Sequence, residues 1–239
     1  EGEKMNIINI LLPNVSKRFD VFAQSLLDTL IMVLWSGSIS FVLGLFFGII
    51  LTVTKKNAIL ENKFVFEILD KTTNFFRSIP FIILLTGVMP LTRLIMGSAI
   101  GIKGAIVPLI FGCTPFFTRQ VESALSEVDG GLIEAAESMG LSPIEIIFRV
   151  YLKESVGAIA RATTITIISL IGLTAMAGAV GAGGIGDFAI RYGHDRNQLD
   201  ATWITIIVLV ILVSIIQGIG AGSNTATFAP FRSESACAI

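Results

Sequence analysis

The sequence predicts an all-α, polytopic membrane protein, and three observations support this. Only 15% of the 239 residues are charged and 53% are hydrophobic, whereas soluble proteins carry about 25% charged residues. Long stretches have no charge at all, and residues 29–54 exceed the roughly 20 residues that a helix needs to cross the hydrocarbon. One mixed polar segment, residues 119–161, interrupts these apolar stretches.

Uncharged stretches predict five membrane spans. Residues 78–92 and 104–118 are shorter than a full span, so their helices are expected to continue past flanking Arg or Lys side chains that reach the interface. The predicted spans are about 29–54, 74–93, 102–119, 162–186 and 201–222. The other predicted parts are an extracytoplasmic segment 1–27, a transmembrane domain 28–217 with a cytoplasmic segment 120–161, and an atypical tail 218–239.

The distribution of Lys and Arg orients the spans. These residues are more numerous on the side of the polar segment, so the segment is expected to face the cytoplasm and the amino terminus the outside. Residues 5–12 are apolar but too short for a signal peptide, so no cleavable leader is expected. The tail, which contains only Arg232 as a cation, is interpreted either as a polar disordered tail or as foreign sequence.

Composition also excludes several function classes. A net charge of −1 gives no basic field for nucleic acid. Cys113 and Cys237 do not suggest a disulfide, and the single histidine, His194, excludes a His-rich metal cluster. The predicted spans lack Asp and Glu, which argues against proton or sodium coupling. Without a Walker A pattern or a catalytic constellation, the chain is expected not to be an enzyme.

The polar segment predicts a helix, a turn and a second helix. Asp129 is a candidate N-cap, and Gly140 fits the left-handed position after a helix end. Ser142, Pro143 and Glu145 form a Ser-Pro-x-Glu capping box that starts the second helix. Apolar residues at helical spacing form a stripe along both helices, and periodicity alone also fits an amphipathic connector lying on the bilayer.

The spacing of named residues in this segment resembles the signature of ABC importer permeases. Glu134-Ala135-Ala136 is followed after three residues by Gly140 and after nine more by Val150-Tyr151-Leu152. The family pattern has Ile where this chain has Val150 and Pro where this chain has Lys153. Because Lys153 replaces a proline that would stop the helix, the second helix is expected to run on toward Glu154. Further similarity, greatest to permeases for methionine uptake, lies in residues 76–85, 105–109, 131–140 and 175–186.

The resemblance implies an architecture and partners. Two permease copies form the pathway in the membrane lipid of the bacterial inner membrane, and two cytoplasmic ATP-binding subunits each receive the short helix around Glu134 to Gly140. A substrate-binding lipoprotein delivers the ligand, expected to be methionine, from outside. No cofactor is expected on this chain, since the partner subunit binds ATP. The residues implied in ATPase coupling are Glu134, Ala135, Ala136 and Gly140.

A glycine run at 181–186 satisfies Gly-x-Gly-x-x-Gly, but a membrane span precedes it and no βαβ unit surrounds it, so a dinucleotide site is excluded. Small residues here favour close helix packing instead. Met176 is bulky among them, and together with Gly178 and Gly181 it is a candidate gate of the pathway. The alternative for Met176 is that it fills a gap in the core.

Two other classes remain open at this point. An energy-independent channel or secondary carrier would transport without an ATPase. A non-transporting membrane scaffold would bind a soluble partner through the polar segment without moving any substrate. The importer-like spacing from Glu134 to Gly140 weighs against both.

Overall fold

The computed structural model describes residues 13–227, with side chains described for residues 14–220. Within this part of the chain all regular structure is helical. The α-helices are α1 (Pro13–Ser16), α2 (Phe19–Thr54), α3 (Lys63–Ser78), α4 (Phe81–Gly87), α5 (Met89–Met96), α6 (Gly101–Leu125), α7 (Gly130–Ser138), α8 (Pro143–Ile146), α9 (Leu152–Glu154), α10 (Val156–Ala179), α11 (Gly184–Phe188) and α12 (Leu199–Thr227). Two π-helical turns, Ile147–Tyr151 and Ala189–His194, follow α8 and α11.

Among residues 13–227, four helices are long and apolar enough to cross a membrane, so the predicted count of five is not confirmed. They are Phe19–Thr54, Gly101–Leu125, Val156–Ala179 and Leu199–Gly220. The prediction of one continuous helix over 74–93 is wrong. Pro80 adopts an extended conformation (φ −55°, ψ 134°) and ends α3, because proline lacks a backbone N–H and disfavours helix before it. A second break at Val88 separates α4 from α5.

The remaining long helices differ from the predicted spans at their ends. Helix α6 continues to Leu125, well into the segment predicted to be cytoplasmic, and α10 starts at Val156 rather than 162. Helix α10 ends at Ala179, before the glycine run, where the chain turns. The predicted segments 1–27 and 218–239 lie partly outside the described residues.

Large apolar side chains point outward on the long helices. Trp35, Val42, Trp203 and Val210 are all exposed. In water such a surface would be unfavourable, whereas in a bilayer the exposed helix face must match the hydrocarbon. The outward side chains therefore agree with the membrane assignment made from composition.

The chain divides into two compact units. The first comprises the chain up to Ile39, Ile79–Cys113 and Ile167–Ser214. Its buried apolar cluster contains Val15, Phe22, Ile185, Phe188 and Ala201. The hydroxyl of Thr29 accepts a hydrogen bond from the Ile185 N–H at 2.8 Å, which satisfies a backbone donor at the start of α11.

The second unit comprises Ser40–Ser78, Thr114–Thr166 and the chain from Ile215. Helix α2 passes close to α6 at Gly48: a Cβ there would lie 2.6 Å from Val121 Cγ1 and 3.0 Å from the Thr118 carbonyl oxygen. Gly44 makes a similar approach to Phe117. Small residues allow helix backbones in membranes to approach closely, and here they fix α2 against α6.

Arg119 joins α3 to α6 within the second unit. Its guanidinium pairs with Asp70 of α3 and with Glu122 of its own helix, and donates to Asn74 Oδ1 at 3.0 Å. The Arg119 side chain is only 18% exposed. A cation that is partly shielded from water requires such partners. The contact therefore holds the amphipathic helix α3 against α6.

We expect Gly48→Ala to destabilise the protein, because its new methyl group would overlap Val121 and a backbone carbonyl oxygen. Overpacking of this kind costs about 1–3 kcal/mol. The measurement is the thermal unfolding midpoint of the detergent-solubilised protein. Gly172→Ala in α10 is the matched control, since nothing lies within 4 Å of its added Cβ. Equal midpoints for the two variants would contradict the proposed close packing.

Candidate functional site

The polar segment between α6 and α10 folds as a short helix, a turn and a second helical stretch. Helix α7 begins after Asp129, whose carboxylate accepts a hydrogen bond from the Gly131 N–H at 2.8 Å. The cap satisfies one of the free backbone donors of the first turn, and a carboxylate is also favoured at the positive end of the helix dipole. The N-cap predicted from the sequence is confirmed.

Gly140 ends α7 in the left-handed conformation, with φ +79°. The Gly140 N–H donates to the Glu137 carbonyl at 2.9 Å and the Leu141 N–H donates to the Ala136 carbonyl at 3.2 Å. These two bonds form a Schellman motif, which turns the chain sharply and satisfies the last carbonyls. The left-handed role predicted for Gly140 is confirmed.

Ser142 and Glu145 start the second helix through a complete capping box. The Ser142 N–H donates to Glu145 Oε2 at 3.0 Å, and the Glu145 N–H donates to the Ser142 hydroxyl at 3.4 Å. The donors on Ser142 lower the pKa of Glu145. A lowered pKa keeps this carboxylate charged, and the cap formed, at neutral pH; the contribution is lost only in acid, as pH falls through the pKa of the folded form.

The second helical stretch continues from α8 through the π-helical turn and α9 to Glu154, where Ser155 follows. The expectation that this helix runs on toward Glu154 is therefore confirmed. The Ser155 hydroxyl donates to the Ala124 carbonyl at 3.3 Å in a buried position at the end of α6. This bond connects the end of the segment to the long helix that precedes it.

Three residues of the segment anchor it in the core. Ala136 of α7, Ile146 of α8 and Tyr151 of the π-helical turn are buried in one cluster with residues of α6 and α10. The α6 and α10 members are Phe117, Val121, Leu125 and Ala162. Burial raises the pKa of the Tyr151 hydroxyl, so it remains neutral. The segment is thus a packed part of the second unit.

Other apolar side chains of the segment point away from the core. Met139 is 72% exposed, Ile144 is 66% exposed and Phe148 is 65% exposed. The stripe seen in the sequence therefore divides into buried anchors and an exposed apolar face, which we call the docking face and define by Met139, Ile144 and Phe148. The exposed charged residues Glu137 and Arg149 lie close to these three in sequence. Exposed apolar side chains that lie together are typical of a surface that binds another protein.

The four residues predicted for ATPase coupling all lie in or beside α7. Glu134 and Ala135 are exposed, Ala136 is buried and Gly140 is in the exposed turn. The structure thus gives them different roles: two are available to a partner, one anchors the helix and one turns the chain.

The candidate gate residues lie together in the first unit, at the end of α10 and in the turn that follows. Met176 is 40% exposed, so it does not fill a core gap within the described chain. A Cβ on Gly178 would lie 2.5 Å from the Asp187 nitrogen, which shows how closely α10 approaches α11. The Gly181 carbonyl accepts a hydrogen bond from the Gly101 N–H at 3.3 Å. Both glycines therefore support the turn that follows the end of α10, where Met176 lies.

Comparison with known proteins identifies the family. Residues 40–221 match the binding-protein-dependent transport system inner membrane components. The chain belongs to this family. It is a multi-pass permease of the bacterial inner membrane, and the resemblance inferred from the Glu134–Gly140 spacing is confirmed.

Individual relatives cover most of the permease. It is 45% identical over 201 residues to the probable D-methionine transport system permease protein MetI of Vibrio cholerae, covering 84% of this chain and 89% of that protein. The corresponding protein of Pasteurella multocida is 42% identical, with coverages of 84% and 93%. A solved structure of the MetNI methionine ABC transporter in an inward facing conformation aligns with a TM-score of 0.86, at 41% identity, over 88% of this chain and 98% of the other.

Sequence reasoning missed two features of the permease segment. It placed Met139 and Ile144 in the same apolar stripe as Ala136 and Tyr151 and did not separate these exposed residues from the buried ones. It also missed the π-helical turn at Ile147–Tyr151. The turn widens the helix by one residue, so a regular 3.6-residue period assigns the wrong face to side chains on one side of it.

Gly140→Ala should strain the turn, because an L-residue in the left-handed region costs about 1–2 kcal/mol. We expect a lower thermal unfolding midpoint and weaker retention of any partner bound through the docking face. Gly130→Ala, at the first position of the same helix with no positive φ and nothing within 4 Å of its Cβ, is the control. If both variants behave as wild type, the turn is not rigid enough to have the role assigned to it.

Proposed function

We propose that this permease is the membrane subunit of an ATP-binding-cassette importer for methionine. The observation that carries the proposal is the docking face, an exposed apolar surface on a capped helix–glycine–helix segment whose other side is packed in the core. The substrate is supported by the relatives named for D-methionine transport and by the similarity to a methionine transporter.

In this proposal two permease copies form the pathway within membrane lipid, and the polar segment faces the cytoplasm. A cytoplasmic ATP-binding subunit contacts each copy and hydrolyses ATP. The permease itself then needs no nucleotide site and no cofactor. A substrate-binding lipoprotein delivers methionine to the extracytoplasmic side. The sequence has no Walker A pattern, and ATP hydrolysis is therefore assigned to the partner.

The mechanism follows from how the segment is held. Glu134 and Ala135 face outward for the ATP-binding subunit, together with the docking face. Ala136, Ile146 and Tyr151 join the segment to α6 and α10, so a displacement of α7 is transmitted to these helices. Packed interiors deform little, and a displaced segment therefore moves its supporting helices as a body.

Co-purification of the detergent-solubilised permease with its ATP-binding subunit tests the docking role. We expect wild type to form a stable complex and Glu134→Arg to weaken it, because the substitution reverses an exposed charge beside the docking face. Glu154→Arg, a charge reversal at another exposed position at the far end of the segment, should retain the complex. A folded wild-type permease that binds no ATP-binding subunit would instead favour an energy-independent channel or carrier.

Met176 is proposed as a gate, with its partner copy facing it across the pathway. Met176→Ala should increase methionine leakage from proteoliposomes without ATP, or raise basal ATP hydrolysis, since it removes a bulky side chain from a stretch of small residues at the end of α10. Met176→Leu retains the volume and should behave as wild type. Unchanged leakage and unchanged basal hydrolysis in the alanine variant would remove Met176 from the gate.

A further inference from the structure

One threonine of α2 is bonded to the turn that follows α10. Thr29 is 1% exposed, and its hydroxyl donates to the Ser25 carbonyl of its own helix at 3.0 Å. The same hydroxyl accepts the Ile185 N–H at 2.8 Å, from a residue 156 positions further along the chain. A hydroxyl group has one donor and can also accept, so both functions are used here and the position of the group is fixed.

The backbone around this bond is packed without free space. Gly184, the first residue of α11, has φ +80°, and a Cβ there would lie 2.7 Å from Thr29 Oγ1 and 2.7 Å from Met32 Cε. Thr29 and Met32 are both buried, so neither side chain can move aside easily. Helix α11 is therefore in direct contact with α2 at the point where the hydrogen bond forms.

The same turn contacts the helix that carries Met176. A Cβ on Gly186 would overlap the Ala175 carbonyl oxygen, and one on Gly178 would lie 2.5 Å from the Asp187 nitrogen. Ala175 directly precedes Met176 in α10, and Gly178 follows it by two residues. Helix α11 thus contacts α10 on both sides of the proposed gate residue.

These contacts form a continuous path within the first unit. The path leads from Thr29 of α2 through Ile185 and Gly186 of α11 to Ala175, the neighbour of Met176. Met176 is 40% exposed, so its own packing holds it only in part. Closely packed backbones transmit a displacement instead of absorbing it. The position of Met176 relative to α2 therefore depends on the bond that Thr29 makes.

We propose that Thr29 is a positioning residue for the Met176 gate, an inference that rests on the gate role proposed above. The Thr29 hydroxyl holds α11 against α2 and favours the closed gate. Without the bond, α11 and the end of α10 shift away from α2, and a larger fraction of the permeases has the gate open. A threonine that served only to satisfy a buried donor would affect stability and leave the gate unchanged.

The test uses Thr29→Val in the permease–ATPase complex, reconstituted in proteoliposomes. Valine has the same branching at Cβ but no acceptor, so the Ile185 N–H loses its partner. Methionine leakage without ATP, or basal ATP hydrolysis, should rise about two- to tenfold, the range expected when one hydrogen bond is lost from a two-state equilibrium. Thr29→Ser retains the hydroxyl and should restore the wild-type rates.

The matched control is Thr205→Val in α12. Thr205 is also buried, at 3% exposed, and its hydroxyl donates to the Ala201 carbonyl of its own helix at 2.8 Å. The control removes the same group from the same unit without touching α11, so its leakage and basal hydrolysis should match wild type. Thr29→Cys, whose thiol is a weaker acceptor, should give an intermediate rise and replaces the valine variant if that variant does not fold.

Two further measurements separate a gate role from general packing. Thr29→Val combined with Met176→Ala should leak less than about twofold more than Met176→Ala alone, because both changes act on the same gate. Hydrogen exchange of the Ile185 amide should be faster in Thr29→Val than in wild type, while amides of α12 keep their wild-type rates.

Other results would overturn the proposal. Wild-type rates or unchanged Ile185 exchange in Thr29→Val, in a preparation where Met176→Ala leaks, would exclude a positioning role. An equal rise in Thr205→Val, no rescue by Thr29→Ser, or independent effects of Thr29→Val and Met176→Ala would assign Thr29 to packing alone. If Met176→Ala itself is unchanged, the gate proposal fails and the role of Thr29 fails with it. ATP-driven methionine uptake by wild type separates all these results from failure of the importer proposal.

Discussion

The close approach of α2 and α6 at Gly48 is the constraint on which the second unit depends. Because no side chain separates the two backbones there, Val121 and Phe117 are pressed into a buried cluster, and their neighbour Leu125 extends it toward the polar segment. Ala136, Ile146 and Tyr151 can be buried only because this cluster offers them a surface. The position of the docking face is therefore determined by the contact between two membrane helices.

Local hydrogen bonds then make the polar segment stiff without help from lipid. Asp129, Gly140 and the Ser142–Glu145 box satisfy backbone groups at the three helix ends inside it. Each bond is between residues no more than five apart in sequence, so the turn can form even if the neighbouring helices shift. A stiff segment on a packed base suits the transfer of movement, whereas a flexible connector would absorb it.

The sequence predicted what is local and missed what depends on distant contacts. The caps at Asp129 and Ser142 and the turn at Gly140 follow from short motifs, and all were found. The break of the 74–93 helix could have been expected from Pro80, but lack of charge was given more weight. No spacing indicates that Arg119 pairs with Asp70, 49 residues away, or that Arg18 meets Tyr192.

For the candidate site residues too, the sequence predicted local features and missed those that depend on distant contacts. The resemblance of their spacing made Glu134 and Gly140 candidates, yet it did not reveal that Ala136 is an anchor while Met139 faces outward. That assignment depends on where α6 and α10 lie, which a periodic pattern on one segment does not contain. The exposed apolar residues point to a partner because the other apolar residues of the stripe, Ala136, Ile146 and Tyr151, are already packed in the core.

The π-helical turn at Ile147–Tyr151 has a consequence for how this segment tolerates changes in length. One residue more or less rotates everything beyond it by about 100° in an ordinary helix. The wide turn absorbs a single extra residue, so that Ile146 and Tyr151 both remain buried while Phe148 faces outward. Deleting one residue here would restore a regular helix. The outward side chains would then be rotated relative to the buried anchors Ile146 and Tyr151. The length of the segment is therefore constrained as well as the residues at its caps and anchors.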